Sequence, residues 1–152
     1  MSGPVEKIER ADVPTAAQVE RAGDILTVAC HAASFRAGWW NDPKAGYGAP
    51  DLRAHCRNGT RLGKALVAEK LMLIVSEVAE AMEGHRKGLM DDKLPDRPMI
   101  EVELADAVIR IGDLAGALGL DLGGAIADKM AFNAVRPDHK PEARQAAGGK
   151  GY

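Results

Sequence analysis

The stretch Leu62 to Lys87, LGKALVAEKLMLIVSEVAEAMEGHRK, holds no proline and consists almost wholly of good helix formers. At about 100° per residue, Leu73, Ile74, Glu77, Glu80 and Ala81 share one face. The opposite side carries Met72, Val75, Ala79 and Met82, so the middle of this helix is apolar nearly all round and is expected to be largely buried. A helix of that kind needs helical neighbours to cover it, which points to an all-α domain.

The neighbours are legible. Thr15 and Gln18 form a capping box in front of a proline-free run to Phe35, the first helix. A third helix is expected to start at Asp96 and Pro98 and to run to Leu118, with Gly119 closing it. Asp121 is placed to cap a fourth, LGGAIADKMAFNAV, which Pro137 ends. The span from Phe35 to Thr60 is dense in Gly, Pro, Asn and Asp and reads as a long loop or lid. No segment alternates as a half-buried strand does and no repeat is visible, so a four-helix bundle-like core is expected. Gly112 and Gly116, one turn apart on the third helix, are expected to admit a neighbouring helix at close range.

At 152 residues with 46% apolar content, the chain suits a single domain over 1–152, loosely held at 1–13 and about 138–152. A net charge of −2 provides no global basic field, which argues against a stable nucleic-acid complex. No signal-peptide pattern or membrane-length apolar run is present, and a cytoplasmic, membrane-free protein is expected. Two cysteines do not make a disulfide framework. Cys30-His31 and His55-Cys56 lack zinc-ligand spacing, since neighbouring helical residues point apart.

The acids on the buried helices carry the chemistry. Glu77 and Glu80 stand at i, i+3 on the second helix, and Glu103 and Asp106 at i, i+3 on the third, beside Ile100, Ala107 and Leu114. Burying one unpaired carboxylate costs several kcal/mol and grouping four adds repulsion, so a counter-cation is called for. Oxygen-only ligands on rigid helices suit Mg2+, with Mn2+ as a substitute, whereas a ferritin-type di-iron site would need Glu-x-x-His pairs. The competing reading is that the acids are solvated or paired, Glu77 with Lys70 on its own face and Asp106 with Arg110 at i+4.

Glu77-x-x-Glu80, then Glu103-x-x-Asp106, then Lys129-x-x-x-Asn133-x-x-Arg136 form an ordered set that resembles the MazG-like all-α nucleoside triphosphate pyrophosphohydrolases. The resemblance covers residues 62 to 140 and reaches loosely to the first helix and the Gly38-Trp39-Trp40 loop. It implies a helical bundle that forms homodimers or homotetramers, holds Mg2+ on the acidic quartet, and cleaves a nucleoside triphosphate between its α and β phosphates. Nucleotide-pool house-cleaning is the implied role. Many such proteins carry two consecutive glutamates at the first motif; here the earlier position is Ser76.

Within that frame Glu80 is the expected general base. Lys129, Asn133 and Arg136 share one face of the fourth helix and make a strip suited to a triphosphate. Trp39 and Trp40, the only tryptophans, are candidates for stacking on a base, although at least one is expected to plug the loop against the bundle. His139, Lys140, Arg144 and Lys150 in the polar tail are candidates for phosphate or subunit contacts. The rival function is a catalytically inactive nucleotide-binding or regulatory helical oligomer.

Overall fold

A computed structural model describes residues 13–136, and among these every regular element is a helix. There are five: α1 Ala16–Arg36, α2 Ala49–Arg57, α3 Arg61–Lys87, α4 Met99–Leu118 and α5 Leu122–Val135. The expected loosely held ends fall almost wholly outside the described residues, and so do the four basic and histidine residues of the tail. No helix among the described residues is long and apolar enough to cross a membrane.

The boundaries follow local chemistry. Thr15 Oγ1 accepts from Gln18 N at 3.3 Å while Thr15 N donates to the Gln18 side chain at 2.8 Å, the reciprocal cap expected for α1. Thr60 Oγ1 accepts from Gly63 N and starts α3. Gly88 at φ 63° and Gly119 at φ 72° end α3 and α4 in the left-handed conformation, where a side chain would be strained.

The fifth element departs from the sequence expectation. α2 lies inside the span expected to be a loop, with Pro50 in its first turn and Asp51 accepting from Gly48 N at 3.0 Å. Proline is tolerated there because the first helical N–H groups have no partner to lose. Its density of Gly, Pro and Asp therefore marked the entrance of a short helix as well as the turn before it. That turn is pinned where Asp42 and Tyr47 exchange two backbone hydrogen bonds of 2.9 Å.

The described residues divide into two compact units, 13–24 with 122–136 and Ile25–Asp121. In the larger, α3 packs along α4 and α2 sits against both. Its core joins Trp40, Ala49, Leu52, Cys56, Leu114 and Ala117, with Leu62, Leu66, Val67 and Ile74 of α3 packed against it. Gly112 and Gly116 do admit a neighbour: a Cβ on Gly116 would stand 2.6 Å from His31 Cβ, and one on Gly112 3.0 Å from Cys30 Cβ. In the smaller unit, Gly23 of α1 and Gly123 of α5 approach so closely that a Cβ on Gly23 would lie 2.7 Å from Gly123 Cα.

Burial of α3 is a correction to the sequence reading. Leu71, Met72, Val75, Val78 and Met82 are all at least half exposed, and only Gly63, Glu77, Ala81 and Gly84 of this helix are buried. One helix face meets α4 and α2, and a helix that is apolar all round keeps its remaining faces open unless further neighbours cover them.

Candidate metal centre

The i, i+3 spacing on α3 and α4 and the packing of these two helices bring the acids together across one seam. One carboxylate oxygen each from Glu77, Glu80 and Glu103 lies within 4.8 Å of the others. Glu77 and Glu103 are buried, whereas Glu80 reaches solvent. Asp106 stands outside this triad on the exposed side of α4, lining the same cavity of about 760 Å³. The quartet expected from spacing is thus a tight group of three with a fourth acid on its rim.

Electrostatics set the triad apart from ordinary surface acids. Glu103 is pushed up to about 7, first by burial, then by a hydrogen bond with Glu77, then by the charges of Glu80, Glu77 and Asp106. A carboxyl held that far from its usual range has too little positive charge around it. The cation in contact is Arg110, whose Nε donates to Glu77 Oε1 at 2.6 Å. The α3–α4 linker closes the far wall: Asp91 Oδ1 accepts from Lys93 N and Leu94 N at 3.0 and 2.6 Å, and Lys93 Nζ pairs with Asp92.

With one oxygen from each within 4.8 Å of the others, Glu77, Glu80 and Glu103 are the residues that would hold a divalent ion such as Mg2+. An all-oxygen donor set with one uncompensated buried carboxyl fits a hard divalent cation. Two pairings proposed from the sequence are corrected. Arg110 binds Glu77 across the helix seam rather than Asp106 one turn away, because its side chain points toward α3. Lys70 leaves Glu77 alone; it stands 3.8 Å from Asp113 and 4.3 Å from the centre of the Trp40 ring.

Asp113 was not singled out by sequence reasoning. Its Oδ1 accepts from Trp40 Nε1 at 2.8 Å and lies 2.9 Å from His31 Nδ1, which ties the loop after α1 and α1 itself to α4. Its place two turns beyond Asp106 on a mostly apolar helix was the available signal. Trp40 is 1% exposed and has no ring face to offer a ligand, which corrects its place among the substrate-binding candidates. Trp39 is 72% exposed and lines a second cavity, about 330 Å³, with Ser34, Lys70, Leu73 and Ile109. Asp106 and Arg110 line both cavities.

Lys129 and Asn133 belong to α5 in the smaller unit, whereas Arg136 follows the last helical residue, Val135, so the three do not all stand on one helix face as their spacing suggested. The Lys129 and Arg136 cations lie 4.9 and 5.7 Å from the centre of the Phe132 ring between them, and Asn133 is half-buried. Cys30 and Cys56 are buried free thiols, and burial pushes both up from their ordinary value, with the charge of Asp113 adding to the effect at Cys30. Neither joins a metal-binding group among the described residues. Compared with family models, curated proteins and solved structures, the chain matches none.

Proposed function

We propose that this chain is a Mg2+-dependent nucleoside triphosphate pyrophosphohydrolase, in which Glu77, Glu80 and Glu103 hold the ion and Asp106 completes the set. The observation that carries the reading is the convergence of three carboxylates on a seam where one of them, Glu103, is held near 7. Such an arrangement is costly for a folded chain unless a cation repays it. When bound, magnesium supplies charge neutralisation at the phosphates.

The chain's own groups account for the rest. Glu80 is the triad member open to solvent, so its carboxylate would accept a proton from an attacking water as the water oxygen bonds to phosphorus, the bridging P–O bond between the α and β phosphates breaks and pyrophosphate departs. Arg110 stands between the acid cavity and the Trp39 cavity and is placed to meet phosphate oxygens. The exposed Trp39 ring, with Leu73 and Ile109, suits the flat face of a base. The test is incubation with each common and deaminated nucleoside triphosphate plus Mg2+, or Mn2+ in its place, with detection of pyrophosphate and monophosphate.

Ser76 favours a second reading. Its Oγ donates to Leu73 O of its own helix at 2.8 Å, so the position where many members of the family the motifs resemble carry a glutamate is engaged with backbone. An inactive nucleotide-binding module would release no pyrophosphate from any substrate in that screen yet still bind a triphosphate in the presence of Mg2+. In either reading a second copy of the chain is the proposed cover for the exposed apolar residues Met72, Val75, Val78 and Met82 of α3. Light scattering at micromolar concentration is expected to give at least a dimer, and a clean 16.1 kDa species sinks that part.

A further inference from the structure

We infer that Arg110 is a displaceable counter-cation: it holds Glu77 while the acidic triad is metal-free, and turns to a phosphate group of the ligand when a divalent ion takes its place. This rests on the metal-site reading above and adds a role for a residue that spacing alone paired elsewhere. Three observations converge on it. Arg110 reaches the triad with a hydrogen bond, its Nε standing 2.6 Å from Glu77 Oε1. Its side chain is 41% exposed against 8% for that of Glu77, so the guanidinium reaches in from solvent and has room to leave. It also lines both the acid cavity and the Trp39 cavity, so a short swing carries it from carboxylate to the space a polyphosphate would cross.

The physics is competition followed by reuse. Glu77 Oε1 cannot give its full lone-pair density to a metal while it accepts the Arg110 guanidinium N–H, and two cations on one carboxylate repel. A fixed Arg–Glu pair would be left alone by a ligand that favours neither arrangement. A triphosphate favours the displaced one, because the planar fork of arginine matches two phosphate oxygens. Metal and triphosphate therefore bind cooperatively through this side chain: the metal frees the guanidinium, and the guanidinium then finds the anion.

The experiment measures Mn2+ alone by calorimetry and by loss of the free-ion electron paramagnetic signal, for wild type, Arg110→Gln and Arg110→Lys. Removing the competing charge is expected to tighten Mn2+ binding about fivefold or more in Arg110→Gln. Arg110→Lys keeps a charge on the same stem and is expected to stay within about twofold of wild type. Affinity for inorganic tripolyphosphate in saturating Mg2+ is expected to fall about tenfold in Arg110→Gln. Wild-type Mn2+ binding with equal or weaker binding by a folded Arg110→Gln overturns the inference and leaves the metal site standing, because Arg110 then merely orients Glu77. No Mn2+ binding by any of the three overturns both. If Arg110→Gln does not fold, Arg110→Lys decides: wild-type-like Mn2+ affinity with weakened tripolyphosphate binding supports the inference, and weakened Mn2+ affinity overturns it.

Discussion

Two buried carboxylates sit on α4, Glu103 and Asp113, and their surroundings are opposite in kind. Asp113 is surrounded by donors: an indole N–H, an imidazole nitrogen and, at 3.8 Å, an ammonium. Two to three turns earlier, Glu103 faces mainly other acids and is held near 7, and one guanidinium serves the whole triad through Glu77. A carboxylate whose partners are all internal is built to hold a fold, and one whose partners fall short is built to receive a cation. Losing Asp113 should therefore be felt in stability, and losing Glu103 in binding and turnover.

The largest expected effect breaks the receiving side. Glu103→Ala should lower turnover by on the order of a thousandfold, because several kcal/mol of transition-state stabilisation go with the ion, and should weaken Mg2+ binding while raising metal-free stability. Steady-state kinetics, calorimetry and thermal melting read the three together; a less stable variant that turns over normally erases the contrast. Next, Asp113→Ala should cost about 3 kcal/mol by leaving Lys70, His31 and the Trp40 indole without their acceptor. Urea unfolding checks it, and metal affinity in the folded fraction should stay near wild type.

A smaller effect sharpens the comparison at the rim. Trp39→Ala should weaken triphosphate binding about tenfold with little change in melting temperature, since the ring is exposed, whereas Trp40→Ala should unfold the loop and much of the core. The smallest is a pH dependence. Glu103 has its folded value raised above the unfolded one, so its contribution to stability is complete below about 4.5 and is lost as pH rises through about 7. Metal-free wild type should lose melting temperature across that window relative to Glu103→Gln, and saturating Mg2+ should remove that loss in the wild type. Parallel curves for the two proteins would show that Glu103 is not short of positive charge.

Helix placement was largely legible because capping and periodicity are local. Thr15, Gln18, Gly88 and Gly119 end their helices through groups within a few residues, and the expected bounds of α1, α3 and α4 lie within about three residues of the observed ones. The short α2 was hidden because proline and aspartate serve a helix start and a turn equally well. The acid pairs were legible for the same local reason, as i, i+3 residues on one helix share a side.

What the sequence by itself determined is the four helices α1, α3, α4 and α5, the candidates Glu77, Glu80, Glu103 and Asp106, and the closeness that Gly112 and Gly116 permit. Only the tertiary structure decided which acids meet, that Arg110 serves Glu77, that Asp113 gathers Lys70, His31 and Trp40, and that Trp39 stays outside while Trp40 goes in. The reason is one of range. Helix formation and capping are settled over three or four residues, whereas the partner of a charge is settled by the rotation and register of two packed helices, which no single helix contains.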